Sequence, residues 1–404
     1  MTAFGVERYP DRKISDGSHV GFSLIERVQF LNQYVLSCLW YISPLVRPSG
    51  SWLFSLETKL RAFLWQGKIN KVALNQIYQL KDYGGLGLIN AHEYLIAQLL
   101  SIGAQLVAVD SRPSAATWMA IIQQFCLRQY QCTFLELIQG KRRPCKIPIL
   151  RDLFAACRKY SHWFVQGPKA PVPVSDFRKL LQLQSATVAL PNHWIVPVDS
   201  WPSRWKMLFH ITISPKLKSF MYLLFYQRLA THEFVSKRTS KLKNIQPHCT
   251  FCTPKCSESI LHLFMECKIA KSVNGYFKTL WKEWTGEDLT ISQSYLLLDF
   301  PDSGYQAVLR QFTIVTLYAI WNTRNLRDFD SKTILTETGA QQYLLSEFRV
   351  YLSTLWADLQ MLGLPRSTVL ARMNAVLLNE KVGSISSSWL EYTEWASRKI
   401  GKAK

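Results

Sequence analysis

The sequence predicts a mainly α protein. Apolar residues recur at three- and four-residue steps over most of the 404 residues, which is the pattern of amphipathic helices. Stretches that alternate between apolar and polar residues, as strands do, are scarce, and the sequence has no internal repeat. A group of cysteine and histidine residues near position 250 indicates a small domain of its own. We therefore expect a helical N-terminal domain, a small helical domain stabilised by this group, and C-terminal helices.

The composition indicates a folded, intracellular protein with an anionic partner. The chain is long enough for two or three domains, and 48% of its residues are hydrophobic, which suffices for a packed core. It carries 48 Lys and Arg against 28 Asp and Glu, and the net charge of +20 favours nucleic acid. Nine cysteines and no signal peptide in Met1–Asp11 predict a reducing compartment, nuclear or cytoplasmic. The longest apolar runs, such as Phe312–Trp321, are too short to span a bilayer, so we expect no membrane partner.

The first half of the chain is predicted to be a flexible leader followed by a helical domain. Residues 1–20 are polar, contain Pro10 and Gly17, and are assigned to the leader. Residues 21–165 form the helical domain, and the glycine-rich turn Gly84–Gly87 within it lacks the spacing of a nucleotide-binding loop. The helices predicted in this domain are 21–46, 51–66, 90–108, 113–129 and 147–164.

The second half is predicted to begin after a linker. Residues 166–200 contain five prolines and few periodic stretches, so we assign them to an interdomain linker with one short helix near 176–184. Residues 201–290 form the small domain, in which Ser214-Pro215 starts a helix as a cap residue followed by proline. Further helices are predicted at 305–328 and 335–362 in a C-terminal helical region (291–365) and at 366–380 and 387–399 in a helical tail (366–404).

The cysteine and histidine group has the spacing C-x2-C-x9-H-x4-C and consists of Cys249, Cys252, His262 and Cys267. Zinc prefers four thiolate or imidazole ligands in a tetrahedron, so four protein ligands indicate one structural Zn²⁺ rather than a catalytic ion with an open position. Residues five apart point about 140° away from each other on an ideal helix. The helix that carries His262 must therefore end or bend near Cys267. Cys256 and His248 stay open as alternative ligands, and four unliganded core residues are the other interpretation.

A basic stretch leads into this group. Residues 201–245 carry nine Lys or Arg against one acid, Glu233, so local carboxylates cannot pair all of them. The apolar stripe of the helix that starts at Pro215 leaves Lys218 near the edge of the opposite face, where we expect it to reach solvent. Such cations would contact phosphates and give affinity without sequence specificity. The predicted nucleic-acid contacts are Lys216, Lys218, Arg228, Lys237, Arg238, Lys241 and Lys243.

The flanks of the cysteine and histidine group resemble a known family. Trp205–Phe209 and Ile213–Phe220 precede the group, Glu258 lies four positions before His262, and Leu263-Phe264 follows it. With the group itself, these segments resemble the zinc-binding region C-terminal to the reverse transcriptase of LINE-type (non-LTR) retrotransposons, a class of transposable element. This is the most specific part of the resemblance, because the spacing and the flanks agree together.

Other segments agree with the same family. Arg27–Ser37, Phe63–Lys68 and Gly84–Leu88 resemble the thumb and connector that follow the polymerase palm, and Ile320–Asn325 resembles a further downstream segment. The resemblance covers about residues 21–330. It implies the C-terminal part of such an enzyme, with a thumb/connector-like domain at 21–165 and a reverse-transcriptase zinc-binding domain at 201–290. RNA template or target DNA is the implied partner. A truncated copy of the element, a fragment whose polymerase domain lies in the full-length element, and a co-opted remnant all stay open.

The sequence departs from the family in its acidic residues. The polymerase of this family holds its metal ions with an aromatic-x-Asp-Asp turn, whereas this chain contains no Asp-Asp dipeptide. Two-metal phosphoryl transfer needs clustered carboxylates, so we expect no polymerase activity from this chain on its own. Some members carry a nuclease with Pro-Asp followed by a lysine. Here Asp302 follows Pro301, but the next lysine after Asp302 is Lys332, thirty residues later. This distance favours a capping aspartate in a loop.

Two alternatives to nucleic-acid binding stay open. One is a metal-dependent nuclease that uses Asp302, Asp299 or Glu283. The other is an interaction scaffold whose zinc site closes a helical fold and whose partner is a protein. Salt dependence of binding separates the scaffold from the nucleic-acid binder, and incubation of DNA with Mg²⁺ tests the nuclease.

Overall fold

The prediction of a mainly α protein is confirmed for the described part of the chain. The computed structural model describes residues 3–18, 20–43, 48–68, 70–109, 117–140, 145–164, 172–185, 194, 196–238, 246–253, 255–301, 306–329 and 336–361. Over these residues the protein consists of helices and loops, and the one β-bridge joins His248 to Ser257. No helix of this part is both long and apolar enough to cross a membrane.

The chain divides into two compact units. Unit 1 comprises Met1–Leu190 and Pro197–Trp205, and unit 2 comprises Pro191–Val196 and Lys206–Lys404. Unit 1 contains α1 (Ala3–Ser18), α2 (Leu24–Phe30), α3 (Ser37–Ile42), α4 (Gly50–Trp65), α5 (Leu74–Tyr78), α6 (Ala91–Val109), α7 (Thr117–Tyr130), α8 (Phe134–Gln139), α9 (Pro148–Lys159) and α10 (Val174–Ser185). The boundary between the units falls within the sequence of α11 (Trp201–His210), after Trp205. Unit 2 contains α12 (Pro215–Phe225), α13 (His232–Arg238), α14 (Lys268–Thr285), α15 (Gln293–Leu296), α16 (Gln306–Phe329) and α17 (Glu337–Met361).

The first predicted helix is divided by a π-helical turn. A capping box between Ser23 and Glu26 starts α2, and the turn Leu31–Leu36 joins α2 to α3. Asn32 of this turn donates to the carbonyl of Gly87 and accepts from the amide of Ile89, both at 2.9 Å. These bonds fasten the glycine-rich turn to the helix.

A helix occupies most of the stretch that we expected to be a flexible leader. The helix α1 packs against α4, and its Gly17 lies beneath the ring of Phe30 so closely that a Cβ atom there would be 2.5 Å from a ring carbon. On the surface, Lys59 pairs with Asp11 at 2.6 Å. Tertiary packing thus outweighs the local preference of Pro10 and Gly17 for non-helical structure.

Part of the predicted linker belongs to the core of unit 1. The helix α10 lies where we predicted one short helix, but it packs against α6 and buries Phe177 and Leu181 in the same core as Phe134 and Phe154. The apolar spacing of four residues between Phe177 and Leu181 puts both side chains on one helical face. The prolines of 166–200 therefore flank a docked helix.

The core of unit 2 is organised around α16. This helix packs against α12, α14 and α17, and it is buried on all sides between Gln311 and Ile320. An apolar circumference is typical of a helix at the centre of a bundle. The ring of Phe312 lies 4.7 Å from that of Phe348 on α17, and the ring of Tyr318 lies 5.4 Å from that of Phe220 on α12. The predicted helices 366–380 and 387–399 lie outside the described residues.

Candidate metal centre

The first two candidate ligands lie on a short loop that is closed by backbone hydrogen bonds. The amide of Cys249 donates to the carbonyl of Cys256 at 2.8 Å, and the amide of Glu258 donates to the carbonyl of Pro247 at 2.8 Å. These bonds flank the bridge between His248 and Ser257 and form a hairpin-like closure. The chain therefore turns back on itself between Cys249 and Cys256, which we call the zinc loop.

The other two candidate ligands lie at the two ends of a π-helical turn. Residues His262–Glu266 form this turn, and the amide of Cys267 donates to the carbonyl of His262 at 2.7 Å. Such a bond between residues five apart widens the helix by one residue per turn. The irregularity that we predicted near Cys267 is thus present, and the widened turn brings both side chains to the same face.

The four side chains meet at one point with the separations of a tetrahedral zinc site. All four ligand atoms lie within 4.8 Å of one another. The Sγ atoms of Cys249 and Cys267 are 3.8 Å apart, those of Cys252 and Cys267 are 3.9 Å apart, and Cys252 Sγ is 3.6 Å from His262 Nε2. Bonds of about 2.3 Å to sulfur and 2.0–2.1 Å to nitrogen predict about 3.8 Å between sulfurs and 3.6 Å between sulfur and nitrogen. These three separations therefore match those of a tetrahedral Zn²⁺ site.

The surroundings of the cluster suit a structural ion. Cys249, His262 and Cys267 are buried, and Cys252 is half-buried. The other ring nitrogen of His262, Nδ1, faces the carboxylate of Glu266 at 3.7 Å, and such an outer partner orients a metal-binding imidazole. The two alternative ligands lie outside this group of four: Cys256 is exposed, and the carbonyl of His248 accepts from His232.

Local hydrogen bonds favour a thiolate at Cys267. The thiol of Cys249 donates to Cys267 and lowers its pKa, and the amides of Ile269 and Ala270 in the first turn of α14 act in the same direction against the effect of burial. The same hydrogen bond and burial raise the pKa of Cys249. Because zinc binds thiolates, the start of α14 stabilises the charge state that the ion needs.

The comparison with known families agrees with this geometry. Residues 195–273 match the family model described as zinc-binding in reverse transcriptase. The matched range contains all four candidate ligands and the helices α11, α12 and α13. This part of the chain is therefore similar to the zinc-binding domain of reverse transcriptases. A search of curated proteins finds no match to the chain.

Two of the predicted nucleic-acid contacts lie on α12. Lys216 is exposed, with its ammonium 5.0 Å from the centre of the Tyr318 ring. Lys218 differs from our expectation of a side chain free to reach solvent, because it is half-buried and its Nζ donates to the carbonyl of Phe209 at 2.9 Å. Phe209 lies in the last turn of α11, where carbonyls lack helical partners, so Lys218 caps that helix.

The remaining predicted contacts lie on or next to α13. The guanidinium groups of Arg228 and Arg238 lie 5.8 and 4.8 Å from the centre of the Phe234 ring. Lys237 is exposed and pairs with Glu233 on the same helix. Lys241 and Lys243 lie outside the described residues.

The sequence interpretation missed two features of this region. Arg327 lies 5.8 Å from the centre of the ring of Phe251, a residue of the zinc loop between Cys249 and Cys252 in sequence. Arg324 and Asp328, on the same helix, reach Glu258 and His232. The pattern of a single sequence could not indicate either contact, because more than sixty residues separate the partners and only the folded α16 brings them together.

The nuclease candidates do not form a metal site in the described part of the chain. Asp299 and Glu283 are exposed, and neither belongs to a group of three potential ligands there. Asp302 lies outside the described residues.

Proposed function

We propose that this chain is a nucleic-acid-binding part of a LINE-type reverse transcriptase, in which a structural zinc ion supports a basic surface that contacts the backbone of RNA template or target DNA. The observation that carries the proposal is the position of Arg327 on α16, whose guanidinium lies 5.8 Å from the centre of the Phe251 ring in the zinc loop. The family match supports a domain related to reverse transcriptase. The LINE type is supported by the resemblance of the flanks, at Trp205–Phe209, Ile213–Phe220 and Ile320–Asn325.

Two helices that carry basic side chains contact the zinc loop. The side chain of His232, the first residue of α13, lies 2.9 Å from the carbonyl of His248, and Thr250 donates to Asp328 near the end of α16 at 3.1 Å. Both helices therefore meet the loop, and both carry basic side chains, of which Arg327 reaches Phe251 of the loop. We call this surface the basic face, and it consists of Arg228, Lys237, Arg238, Lys255 and Arg327.

The basic face has the properties of a phosphate-binding surface. Within it, Glu233 pairs with Lys237, while burial and the neighbouring charge of Arg238 lower the pKa of Arg228. A bound anion would relieve this repulsion between arginines. The guanidinium groups of Arg238 and Arg327 lie 4.8 and 5.8 Å from the centres of the Phe234 and Phe251 rings, and stacking on an aromatic ring restricts the orientation of a guanidinium.

The proposal is tested by the salt dependence of binding. We would titrate zinc-loaded protein against fluorescent single-stranded RNA and DNA of mixed sequence at increasing salt. Each neutralised phosphate contributes a slope of about −0.7 to −0.9 to log affinity against log salt. Four to six contacts then give a slope of about −3 to −6, with little preference among sequences.

Charge reversal shows whether the basic face carries this affinity. The triple variant Lys237→Glu, Arg238→Glu, Lys255→Glu changes three exposed residues and should flatten the slope by about two to three. The matched control reverses three exposed cations of unit 1, Arg128, Lys146 and Arg151, and should leave the slope unchanged. Zinc content should be the same in both variants. A salt-independent affinity, or equal slopes in both variants, would contradict the proposal and favour the interaction scaffold.

A further inference from the structure

A second cluster of charged side chains lies beside the zinc loop. We call it the ion-pair cluster, and it consists of His232, Glu258, Arg324 and Asp328. Glu258 is 0% exposed and Arg324 is 3% exposed, so two of its charges are removed from water almost completely. His232 begins α13, Glu258 follows the zinc loop, and the other two lie one turn apart on α16. Three segments that are distant in sequence therefore meet here.

The guanidinium of Arg324 holds the two carboxylates together. Its Nε and Nη2 donate to Oε1 of Glu258 at 3.0 and 2.8 Å, and Nε also lies 2.9 Å from Oδ2 of Asp328. The backbone amide of His232 donates to the same Oε1 of Glu258 at 2.9 Å. Glu258 thus joins the start of α13 to the end of α16.

The charges of the cluster are balanced. The ring of His232 has Nδ1 at 2.9 Å from the carbonyl of His248 and Nε2 at 3.0 Å from Oδ2 of Asp328. Both neighbours can only accept hydrogen bonds, and the interaction with Asp328 and the charge of Glu258 raise the pKa of His232, which favours the cationic ring. Two cations then face two carboxylates.

This balance argues against a second metal site. His232, Glu258 and Asp328 offer three possible ligand atoms within 4.8 Å of one another. A divalent ion there would have to displace the buried guanidinium of Arg324, whose charge lies within ion-pairing distance of both carboxylates. The cluster is an ion-pair network.

Two contacts connect the cluster to the zinc loop. The ring of His232 holds the carbonyl of His248, the residue before Cys249. On the other side of Cys249, the hydroxyl of Thr250 donates to Oδ1 of Asp328 at 3.1 Å. The backbone is therefore fixed immediately before and after one zinc ligand.

We propose that Arg324 and Asp328 are positioning residues of the zinc site: through Glu258, His232 and Thr250, they hold the zinc loop in the geometry that binds the ion. The zinc-binding unit of this chain then includes α16, which lies beyond the matched range 195–273. Outer partners that orient a ligand commonly change metal affinity by about 10- to 100-fold when they are removed. The inference concerns the zinc site alone and is tested without nucleic acid.

The experiment measures zinc affinity in the full chain by competition with a chromophoric chelator. Arg324→Met and Asp328→Asn should each lower the affinity by about 10- to 100-fold. Arg310→Met is the control, because Arg310 is a half-buried arginine of the same helix whose Nε donates to the carbonyl of Leu298. Its zinc affinity should match that of the unmodified chain. Equal affinities in Arg324→Met and the control would overturn the proposal.

A double variant separates positioning from stability. Arg324→Met leaves the carboxylate of Glu258 buried without its partner and is expected to destabilise unit 2, whereas Glu258→Gln with Arg324→Met removes both charges. We expect the double variant to recover thermal stability and to keep the low zinc affinity, since the contacts that hold the loop stay absent. Recovery of affinity together with stability would show that the cluster only stabilises the fold. A second bound zinc in the unmodified chain would overturn the assignment of the cluster as an ion-pair network.

Discussion

At the scale of single residues, the ligand set is the part of the site that the sequence predicted best. The spacing singled out Cys249, Cys252, His262 and Cys267 among nine cysteines and eight histidines but left Cys256 and His248 open, and the structure brings the four together. Zinc chemistry allows few residue types, so a short pattern carries much information. No comparable rule exists for ion pairs such as Glu258 with Arg324.

Removal of one ligand should remove the ion. We expect about one zinc per unmodified chain, and none in Cys249→Ser or His262→Ala, because three remaining ligands leave an incomplete tetrahedron. Elemental analysis of the purified proteins measures this. Cys256→Ser is the matched control, since Cys256 is exposed and outside the cluster. Loss of zinc in that variant would show that the ligand set is wrong.

The residues of the ion-pair cluster should make stability depend on pH. The hydrogen bond with Asp328 and the charge of Glu258 raise the pKa of His232. The stabilisation of the folded state by protonated His232 is therefore complete below the pKa of an unfolded histidine, about 6.5, and is lost as pH rises through the pKa in the folded state. Burial opposes ionisation of Asp328, but His232 and Arg324 outweigh it and lower the pKa. The stabilisation by ionised Asp328 is therefore present above the pKa of an unfolded aspartate, about 3.9, and is lost as pH falls through the lower pKa in the folded state.

Comparison of the unmodified chain with His232→Gln isolates the contribution of His232 to the pH dependence of stability. The difference in unfolding free energy between the unmodified chain and His232→Gln should be larger at pH 5.5 than at pH 8.5. Denaturant unfolding in saturating zinc measures it, and the subtraction cancels the pH dependence of zinc binding that both proteins share. A difference that grows with pH would mean that His232 is neutral in the folded protein.

At the scale of elements, the apolar periodicity predicted where helices form but not where a helix is interrupted by a π-helical turn. The predicted helices 90–108 and 113–129 correspond to α6 and α7 within a few residues. The two π-helical turns were not predicted from periodicity, because one extra residue per turn barely changes the apolar pattern over a short window. The helix α1 was missed because docking of Gly17 against Phe30 is a tertiary effect.

Substitution of two glycines by alanine should change the stability of the protein in opposite directions. A Cβ atom at Gly85 would lie 1.8 Å from the carbonyl oxygen of Gln79, so Gly85→Ala should destabilise the protein by more than about 1 kcal/mol. Gly275 lies inside α14 with nothing within 4 Å of its Cβ position, and Gly275→Ala should stabilise the protein by about 0.5–1 kcal/mol. Thermal unfolding of the zinc-loaded proteins measures both changes. Equal behaviour of the two variants would contradict the described glycine-rich turn.

At the scale of the whole molecule, the two compact units differ in what stabilises them. Unit 1 has a core of apolar and aromatic side chains, including Phe134, Phe154 and Phe177, whereas the ligands of the zinc site all lie in unit 2. The boundaries between domains were the hardest feature to predict. Proline content suggested a linker at 166–200, but the burial of Phe177 and Leu181 depends on partners in α6 and α9.

Chelation of zinc should therefore affect one unit selectively. We expect EDTA to increase amide hydrogen exchange at 246–285 while the exchange of α6 and α9 stays unchanged, because zinc binding is coupled to local folding. Mass spectrometry of peptides from the full chain resolves the two regions. Increased exchange throughout the chain would indicate that unit 1 depends on the zinc site.

The depth of the ion-pair cluster has a consequence for work at high ionic strength. Dissolved ions screen charges at the surface over about 3 Å at 1 M salt, but they reach a buried pair poorly. Arg324 and Glu258 are almost inaccessible to solvent, whereas Lys237, Arg238 and Lys255 are exposed. Concentrated salt should therefore release any polyanion that the basic face binds, while the zinc loop keeps its shape and its ion. Protein washed in this way would be free of contaminating polyanions and still folded.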